Sequence, residues 1–233
     1  MRFNHIFKLT NENETHREYK CDNVNINIDF ISGSALRVAV FNDNAEMLPT
    51  FTVNPNNNLS SLGRSRLSVD GFDCVAPAVE RFENKEKFVL DCGVTVDLDL
   101  NNFILSYSKE SKLLFADRAP LAYNFEGEFG NGSYHYITRE DDEHIFGLGD
   151  KSGLINKAGQ VYRVETADSM GFDAEKTDPL YKHVPFYICE NSVGAYGIYY
   201  DTTDTSFVDL GREINNYYCH FKYFKTDDDC LVY

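Results

Sequence analysis

The amino-acid sequence predicts a large antiparallel β-sandwich with few or no helices. Short segments alternate apolar and polar side chains, which is typical of strands buried on one face. Glycine, asparagine and aspartate separate these segments, as they do at hairpin turns. No window of about 12 residues carries the apolar stripe of an amphipathic helix. The 233 residues fit a single domain over 1–233, because one sandwich commonly reaches roughly 200–250 residues.

The first predicted strand pair lies near the N-terminus. Val24 to Ile31 and Ala35 to Phe41 both alternate apolar and polar residues, and Gly33 supplies a turn between them. The alternation assigns Arg37 to the outer, solvated face of its strand. Each strand of the pair is therefore expected to be half-buried.

Two hairpins are predicted further along the chain. Their paired segments are Phe88–Leu90 with Val94–Leu100, and Phe103–Ser108 with Leu113–Ala116. Asp91 to Gly93 form a hairpin turn or a bulge in the first pair, and the four polar residues Lys109 to Lys112 form the turn of the second. Further strands are predicted at Ser133–Thr138 and Gly194–Asp201, and a long surface loop at Asn42–Arg66 with an edge strand at Thr50–Val53.

The composition argues against two classes of partner. The formal net charge is −15 at pH 7, so the surface repels nucleic-acid phosphates and anionic lipid. No apolar run approaches the roughly 20 residues of a membrane-spanning helix. We therefore expect no nucleic-acid partner and no membrane partner.

The cysteines predict free thiols. The six cysteines are scattered, with neither a C-x-x-C pair nor the spacing of a metal-ligand set, so no metal site and no cofactor are expected. Free thiols persist in a reducing compartment. The polar segment Met1 to Thr10 does not fit the apolar core of a signal peptide. A cytoplasmic location is therefore expected.

The segment from Ile145 to Gly211 carries an ordered series of motifs. They are FGLGDK at Phe146–Lys151, LINK at Leu154–Lys157, YRVET at Tyr162–Thr166, DPLYKHVPFY at Asp178–Tyr187, YGIYYD at Tyr196–Asp201 and TSFVDLG at Thr205–Gly211. Their order and spacing closely resemble the segment that closes the N-terminal sandwich of glycoside hydrolase family 31, the α-glucosidase and α-xylosidase family. Asp150 stands where this family usually has Glu, and Val164-Glu165 replace its Trp-Asn pair.

The resemblance implies a galactose mutarotase-like supersandwich that precedes a catalytic (β/α)₈ barrel. The family's nucleophile lies in a W-x-D-M-N-E motif of the barrel, whereas this sequence has no Trp and no such string. A barrel needs about 250 residues, so we expect the catalytic barrel to be absent from this chain. The chain alone is expected to be inactive. The parent enzyme is expected to be a retaining α-glycosidase, with an α-linked oligosaccharide as substrate and its own barrel as a partner.

The resemblance also implies a loop that reaches toward the substrate. The matching loop runs from Glu165 to Lys176, and Asp168 occupies the position of an aspartate in many members. Ala167 stands where many members have arginine. A carboxylate accepts hydrogen bonds from sugar hydroxyls, and Met170 and Phe172 are expected to provide an apolar wall. The alternative is that Asp168 only caps its own loop as an Asx-turn.

The remaining aromatic and histidine residues point to structural roles. Tyr181, Phe186 and Tyr187 are interpreted as core or domain-interface aromatics. His135, His144 and His183 show no catalytic or metal-binding partner in the sequence.

Two other functions stay open at the level of sequence. A free-standing carbohydrate-binding module would need an exposed aromatic platform, and tryptophan is absent. A mutarotase-like epimerase would need a histidine and a glutamate on one concave face, and no such pairing is recognisable in the sequence. The resemblance to the family also implies an apolar surface that faces the barrel. We expect that the isolated chain can self-associate through this surface.

Overall fold

The computed structural model describes residues 5–45, 47, 49, 52–53, 55, 64–127, 130–214, 220–226 and 230–233. This part of the chain contains eighteen strands and no helix, which confirms the predicted all-β class. No helix in it is therefore long and apolar enough to cross a membrane.

Most strands follow one another with short connections. The strands are β1 (Lys8–Glu12), β2 (His16–Cys21), β3 (Val24–Ser32), β4 (Ala35–Asn42), β5 (Ala78–Phe82), β6 (Lys85–Val89), β7 (Val94–Asp99), β8 (Ile104–Lys109), β9 (Lys112–Ala116), β10 (Tyr123–Gly127), β11 (Gly130–Thr138), β12 (His144–Gly147), β13 (Val161–Val164), β14 (Phe186–Glu190), β15 (Ala195–Tyr199), β16 (Ser206–Ile214), β17 (His220–Thr226) and β18 (Cys230–Val232). Longer segments separate β4 from β5 and β13 from β14.

These strands form four antiparallel sheets. The first has the order β1-β2-β3-β4-β18, and the second is the meander β5-β6-β7-β8-β9. The third has the order β10-β11-β17-β16-β13, and the fourth is the three-stranded sheet β12-β14-β15. Strand β18 pairs with β4, so the end of the described chain completes the sheet that its beginning starts.

Residues from all four sheets join one hydrophobic core. The first and second sheets meet at Phe30 and Phe88, whose ring centroids lie 5.0 Å apart. The ring of Tyr200, which directly follows β15, stacks on Phe224 of the third sheet with centroids 3.7 Å apart. Truncating such a buried ring to alanine costs about 3–5 kcal/mol, so these contacts hold the layers together.

The predicted outer position of Arg37 is wrong, because both faces of β4 are covered. Arg37 is fully buried, and its Nε and Nη2 donate to Asp29 Oδ2 at 3.0 and 2.7 Å. Its guanidinium also donates to the carbonyl oxygens of Arg66, Leu67 and Ser68. Alternation within β4 gives no sign that a remote segment folds over the second face and supplies these acceptors.

The hairpin predictions hold with one change. Strands β3 and β4, β6 and β7, and β8 and β9 pair as expected. The predicted four-residue turn of the last pair is wrong, since only Glu110 and Ser111 lie between the strands. Both have positive φ, 50° and 62°, which is the geometry of a two-residue type I′ turn. In the predicted edge strand at 50–53, Thr52 and Val53 are not in a strand, and residues 50 and 51 lie outside the described part.

Candidate functional site

A glycine turn fixes the path of the chain after β12. Gly147, Leu148 and Gly149 all have positive φ, and the Leu148 N–H donates to the Phe186 carbonyl at 2.7 Å. A Cβ on Gly147 would lie 2.6 Å from that same oxygen. The motif therefore needs glycine at this position because the turn packs directly against the start of β14.

A buried ion pair holds the base of the predicted loop. Asp178 Oδ1 accepts from Lys151 Nζ at 2.8 Å, and Asp178 Oδ2 accepts from the backbone N–H of Arg163. The Lys151 side chain is completely buried. The Asp178–Pro179 peptide bond is cis. The aspartate of the DPLYKHVPFY motif thus joins β13, the glycine turn and the segment before β14, and its role is structural.

The loop from Glu165 to Lys176 projects between β13 and this base. Its turn is capped by Asp173, whose Oδ1 accepts from the Glu175 N–H at 2.9 Å and whose carbonyl accepts from the Thr177 N–H at 3.0 Å. Asp168 is exposed, and it makes no hydrogen bond or ion pair with the residues that the structure describes. The Asx-turn in this loop therefore belongs to Asp173 and not to Asp168.

The apolar residues of the loop are presented to solvent. Met170 is 89% exposed and Phe172 49% exposed. The Phe172 ring meets Tyr181 edge-on, with centroids 6.3 Å apart, and Tyr181 Oη donates to the Ser169 carbonyl at 3.1 Å. Tyr181 thus orders the loop from outside the core. The structure places Asp168, Met170 and Phe172 in one short exposed segment, and adds Tyr181 to it.

The three-stranded sheet presents an apolar outer face beside this loop. Strand alternation buries Tyr187 and Cys189 and leaves Phe186 and Ile188 of β14 exposed. We call the outward-facing residues of this sheet the outer face. They are His144 and Phe146 of β12, Phe186, Ile188 and Glu190 of β14, and Ala195, Gly197 and Tyr199 of β15. Most are apolar, which is unusual for a sheet face in contact with water.

A buried polar cluster lies on the opposite side of that sheet. Lys222 Nζ of β17 lies 2.8 and 2.7 Å from the two carboxylate oxygens of Glu143 and 2.7 Å from Tyr196 Oη. Burial, reinforced by the charge of Glu143, raises the pKa of Tyr196. Burial also raises the pKa of the Cys189 thiol to about 11, against the opposing effect of Lys222. The cluster joins the third sheet to the fourth through Lys222 of β17 and Tyr196 of β15.

Two of the described histidines, His16 and His135, have both ring nitrogens engaged by neighbours. His135 is buried, with Nδ1 3.0 Å from Tyr200 Oη and Nε2 2.9 Å from Asp117 Oδ1. His16 contacts both Glu18 and Asp29, so a histidine–glutamate pair exists that the sequence did not reveal. These groups serve internal hydrogen bonds, which does not suit the free acid and base that an epimerase needs.

His135 lines a cavity, but its partner Asp117 is not free to act in catalysis. His135 and Asp117 line a cavity of about 390 Å³, but the second Asp117 oxygen accepts from the Leu105 N–H at 3.0 Å. The carboxylate is therefore already satisfied on both oxygens. Neither sequence spacing nor alternation could have found this pair, because 18 residues separate its members.

Comparison with known proteins gives a family match. The model of the glycosyl hydrolase 31 N-terminal galactose mutarotase-like domain matches residues 25–209. The alpha-glucosidase 2 of Bacillus thermoamyloliquefaciens is 25% identical over 112 residues, which are 48% of this chain and 14% of that protein.

Solved structures share the fold. The GH31 dextranase of Flavobacterium johnsoniae in complex with glucose has a TM-score of 0.71 at 21% identity, over 97% of this chain and 25% of the dextranase. The alpha-1,4-glucan lyase of Gracilariopsis lemaneiformis has a TM-score of 0.72 at 11% identity, over 98% of this chain and 27% of the lyase. The chain therefore spans between 14% and 33% of the length of the relatives it matches. Since a hydrolase and a lyase share this fold, the sandwich by itself does not set the reaction.

Proposed function

From the membership of this chain in glycoside hydrolase family 31, as its N-terminal galactose mutarotase-like domain, we propose that it is a non-catalytic part of a larger enzyme. That enzyme hydrolyses terminal α-glycosidic bonds and acts on an α-linked oligosaccharide. Residues 1–233 form one domain that supports a catalytic (β/α)₈ barrel and lends a loop to the substrate site. The free cysteines among the described residues support a reducing, cytoplasmic location.

The apolar outer face carries this proposal. Ile188 is 43% exposed at the centre of the face, and Phe186 lies on the same side of β14. Full burial of such a side chain is worth about 1.5–3 kcal/mol, so covering the exposed part of each is worth roughly 1 kcal/mol. The barrel covers the outer face in the enzyme, and without the barrel the same face promotes self-association.

The exposed loop supplies the proposed contact with substrate. Asp168 has a carboxylate that is not engaged in capping, and Met170 and Phe172 stand beside it. A carboxylate accepts hydrogen bonds from sugar hydroxyls, and apolar side chains pack on the carbon face of a pyranose ring. The loop therefore contributes to sites for sugars beyond the scissile bond, while the catalytic carboxylates lie in the barrel.

The docking proposal is tested with a matched pair of substitutions. Ile188→Lys places a charge on the outer face. Leu113→Lys places one at a site of similar exposure, 46%, on β9 of the second sheet. In the chain extended by the barrel, Ile188→Lys lowers the melting temperature and Leu113→Lys leaves it nearly unchanged. In the isolated chain, at concentrations low enough for the monomer, both variants melt like the wild type. Equal effects of the two variants in the extended enzyme would contradict docking through this face.

Activity provides the second test. The purified chain does not hydrolyse an aryl α-glucoside, whereas the chain with its C-terminal continuation does. Turnover by the isolated chain would show that the carboxylates it contains suffice for catalysis. Sedimentation velocity of the isolated chain, with Ile188→Lys as the comparison, tests self-association through the same face.

A further inference from the structure

Three side chains of different ligand classes meet near the N-terminus, far in sequence from the loop and the outer face. His5 precedes β1, Cys21 ends β2, and Asp22 begins the turn into β3. His5 Nδ1 lies 3.5 Å from Cys21 Sγ and 3.6 Å from Asp22 Oδ2. Cys21 Sγ and Asp22 Oδ2 are 4.0 Å apart. One nitrogen, one sulfur and one oxygen therefore form a nearly equilateral triangle.

We propose that this triangle is a binding site for a divalent cation of the zinc class, held by His5 Nδ1, Cys21 Sγ and Asp22 Oδ2. All three residues belong to a group whose ligand atoms lie within 4.8 Å of one another. A thiolate and an imidazole together favour zinc over magnesium, calcium or manganese, which prefer oxygen ligands. The chain's charge of −15 adds a general attraction for cations.

The distances fit one face of a tetrahedral site. With the usual zinc–ligand bond lengths and tetrahedral angles, ligand atoms lie about 3.6 Å apart for N and S, about 3.3 Å for N and O, and about 3.5 Å for S and O. The largest difference from the observed edges is about 0.5 Å, between Cys21 and Asp22. A small rotation of the exposed Asp22 side chain would bring its Oδ2 to the shorter distance from Cys21 Sγ. Three protein ligands leave the fourth position to water.

The backbone around the triangle is already organised. The His5 N–H donates to Asn102 Oδ1 at 3.0 Å, and the His5 carbonyl accepts from the Asn102 N–H at 2.7 Å. Asp22 has a left-handed backbone with φ of 52°, which sets the turn. All three ligand residues line a cavity of about 510 Å³, so an ion can reach them. The ordering cost of assembling the ligands is largely met before binding.

Sequence spacing could not reveal this site. His5 and Cys21 are 16 residues apart, and only the pairing of β1 with β2 and β2 with β3 brings their segments together. The expectation that the chain has no metal site rested on short ligand spacings alone.

The experiment uses the EDTA-treated, desalted chain and zinc chloride alone. Calorimetric titration is expected to give a single ion per chain. Cobalt(II) in place of zinc is expected to give a thiolate-to-cobalt charge-transfer band, which reports coordination by a cysteine. Zinc at a hundredfold excess over its Kd is expected to shift the folding equilibrium about hundredfold toward the native state.

The variants separate this site from adventitious binding. Cys21→Ser is expected to weaken zinc binding by at least about 100-fold, since losing an outer-shell partner alone costs 10–100-fold, and to abolish the cobalt band. Asp22→Asn keeps a residue that tolerates the left-handed backbone and is expected to weaken binding at least tenfold. Cys92→Ser removes an exposed thiol that is not part of the triangle and is expected to bind like the wild type.

Three results would overturn the proposal. They are the absence of the cobalt band in the wild type, equal titrations of the wild type and Cys21→Ser, and loss of binding in Cys92→Ser. Circular dichroism of each variant confirms that a lost signal reflects a lost ligand and not a lost fold.

Discussion

Replacing Lys222 by methionine should be among the most damaging single substitutions in the domain. Lys222 is 1% exposed and donates to both oxygens of Glu143, whose side chain is completely buried. Methionine keeps the apolar stem and removes the charge. Glu143 is then left as a buried carboxylate whose only remaining partner in this cluster is Tyr196 Oη, at 3.0 Å.

The expected magnitude follows from that burial. Removing one partner of a buried ion pair costs about 3–5 kcal/mol, because the other charge stays buried without compensation. At about 2–4 °C per kcal/mol for a domain of this size, the melting temperature should fall by roughly 6–20 °C. Urea unfolding followed by tyrosine fluorescence and circular dichroism measures the free energy directly.

A surface pair provides the matched control. Lys182 and Asp150 form an ion pair at 3.2 Å with both side chains largely exposed, and such pairs contribute about 0–1 kcal/mol. Lys182→Met should therefore have little effect. Adding Glu143→Leu to Lys222→Met should recover part of the loss, since it removes the stranded charge. Two results would contradict this reasoning. One is a loss of unfolding free energy in Lys222→Met no larger than that in Lys182→Met. The other is a loss in the double variant equal to the sum of the losses in Lys222→Met and Glu143→Leu.

Three further predictions concern the turn, the first sheet and the loop. Gly147→Ala should lower the free energy of urea unfolding by more than about 2 kcal/mol because of backbone strain and overlap. The control Gly159→Ala, at a glycine with positive φ but no atom within 4 Å of its Cβ, should lower it by about 1 kcal/mol. Similar losses in the two variants would contradict the close approach at Gly147. Partial burial opposes the charge of His16, but Glu18 and Asp29 outweigh it and raise its pKa. The His16 contribution to stability should therefore be complete below about pH 6.5 and disappear as pH rises through the raised pKa; a His16→Gln variant whose deficit does not change with pH would contradict this. In the extended enzyme, Asp168→Ala should lower kcat/KM for an oligosaccharide by about tenfold or more through a lost charged hydrogen bond, with a smaller effect on an aryl α-glucoside and little effect of the control Glu175→Ala; equal losses on both substrates would rule out a sugar contact.

The predictable part of the fold is the part whose sequence alternates apolar and polar residues, although β3 and β4 prove to be buried on both faces and not half-buried as predicted. Val24 to Ile31 and Val94 to Leu100 alternate cleanly, and both form strands close to the predicted bounds. Strands such as Lys8–Glu12 and Ala78–Phe82 were not predicted, because they are mostly exposed edge strands whose sequences show no apolar alternation. Arg37 was misplaced since its acceptors come from a distant segment. Local sequence patterns therefore predict which strands pair, but they do not predict which strand faces are covered by remote segments of the chain.

The candidate site divides in the same way. Motif order led to the loop, and the structure places Asp168, Met170 and Phe172 in one exposed segment. Their contact with a substrate stays a prediction. Tyr181 was interpreted as a core or domain-interface aromatic. It is 42% exposed and packs on the loop, so it does not belong to the core, and its role at an interface stays a prediction. A contact between side chains that belong to no common periodic pattern cannot be predicted from the sequence, so the contact of Tyr181 with Phe172 is seen only in the structure.

The motifs that carry the family resemblance can be sorted by what the fold requires. Gly147 is needed for a close approach, Asp178 holds a buried lysine and a backbone N–H, and Tyr187 fills the core. Replacing any of them should lower stability before it affects binding. Asp168 and Met170 satisfy no such requirement, because they are exposed in a loop whose turn is capped by Asp173. Substitutions at these two positions should leave the melting temperature of the domain unchanged, so a loss of oligosaccharide turnover there would report contact with the substrate and not damage to the sandwich.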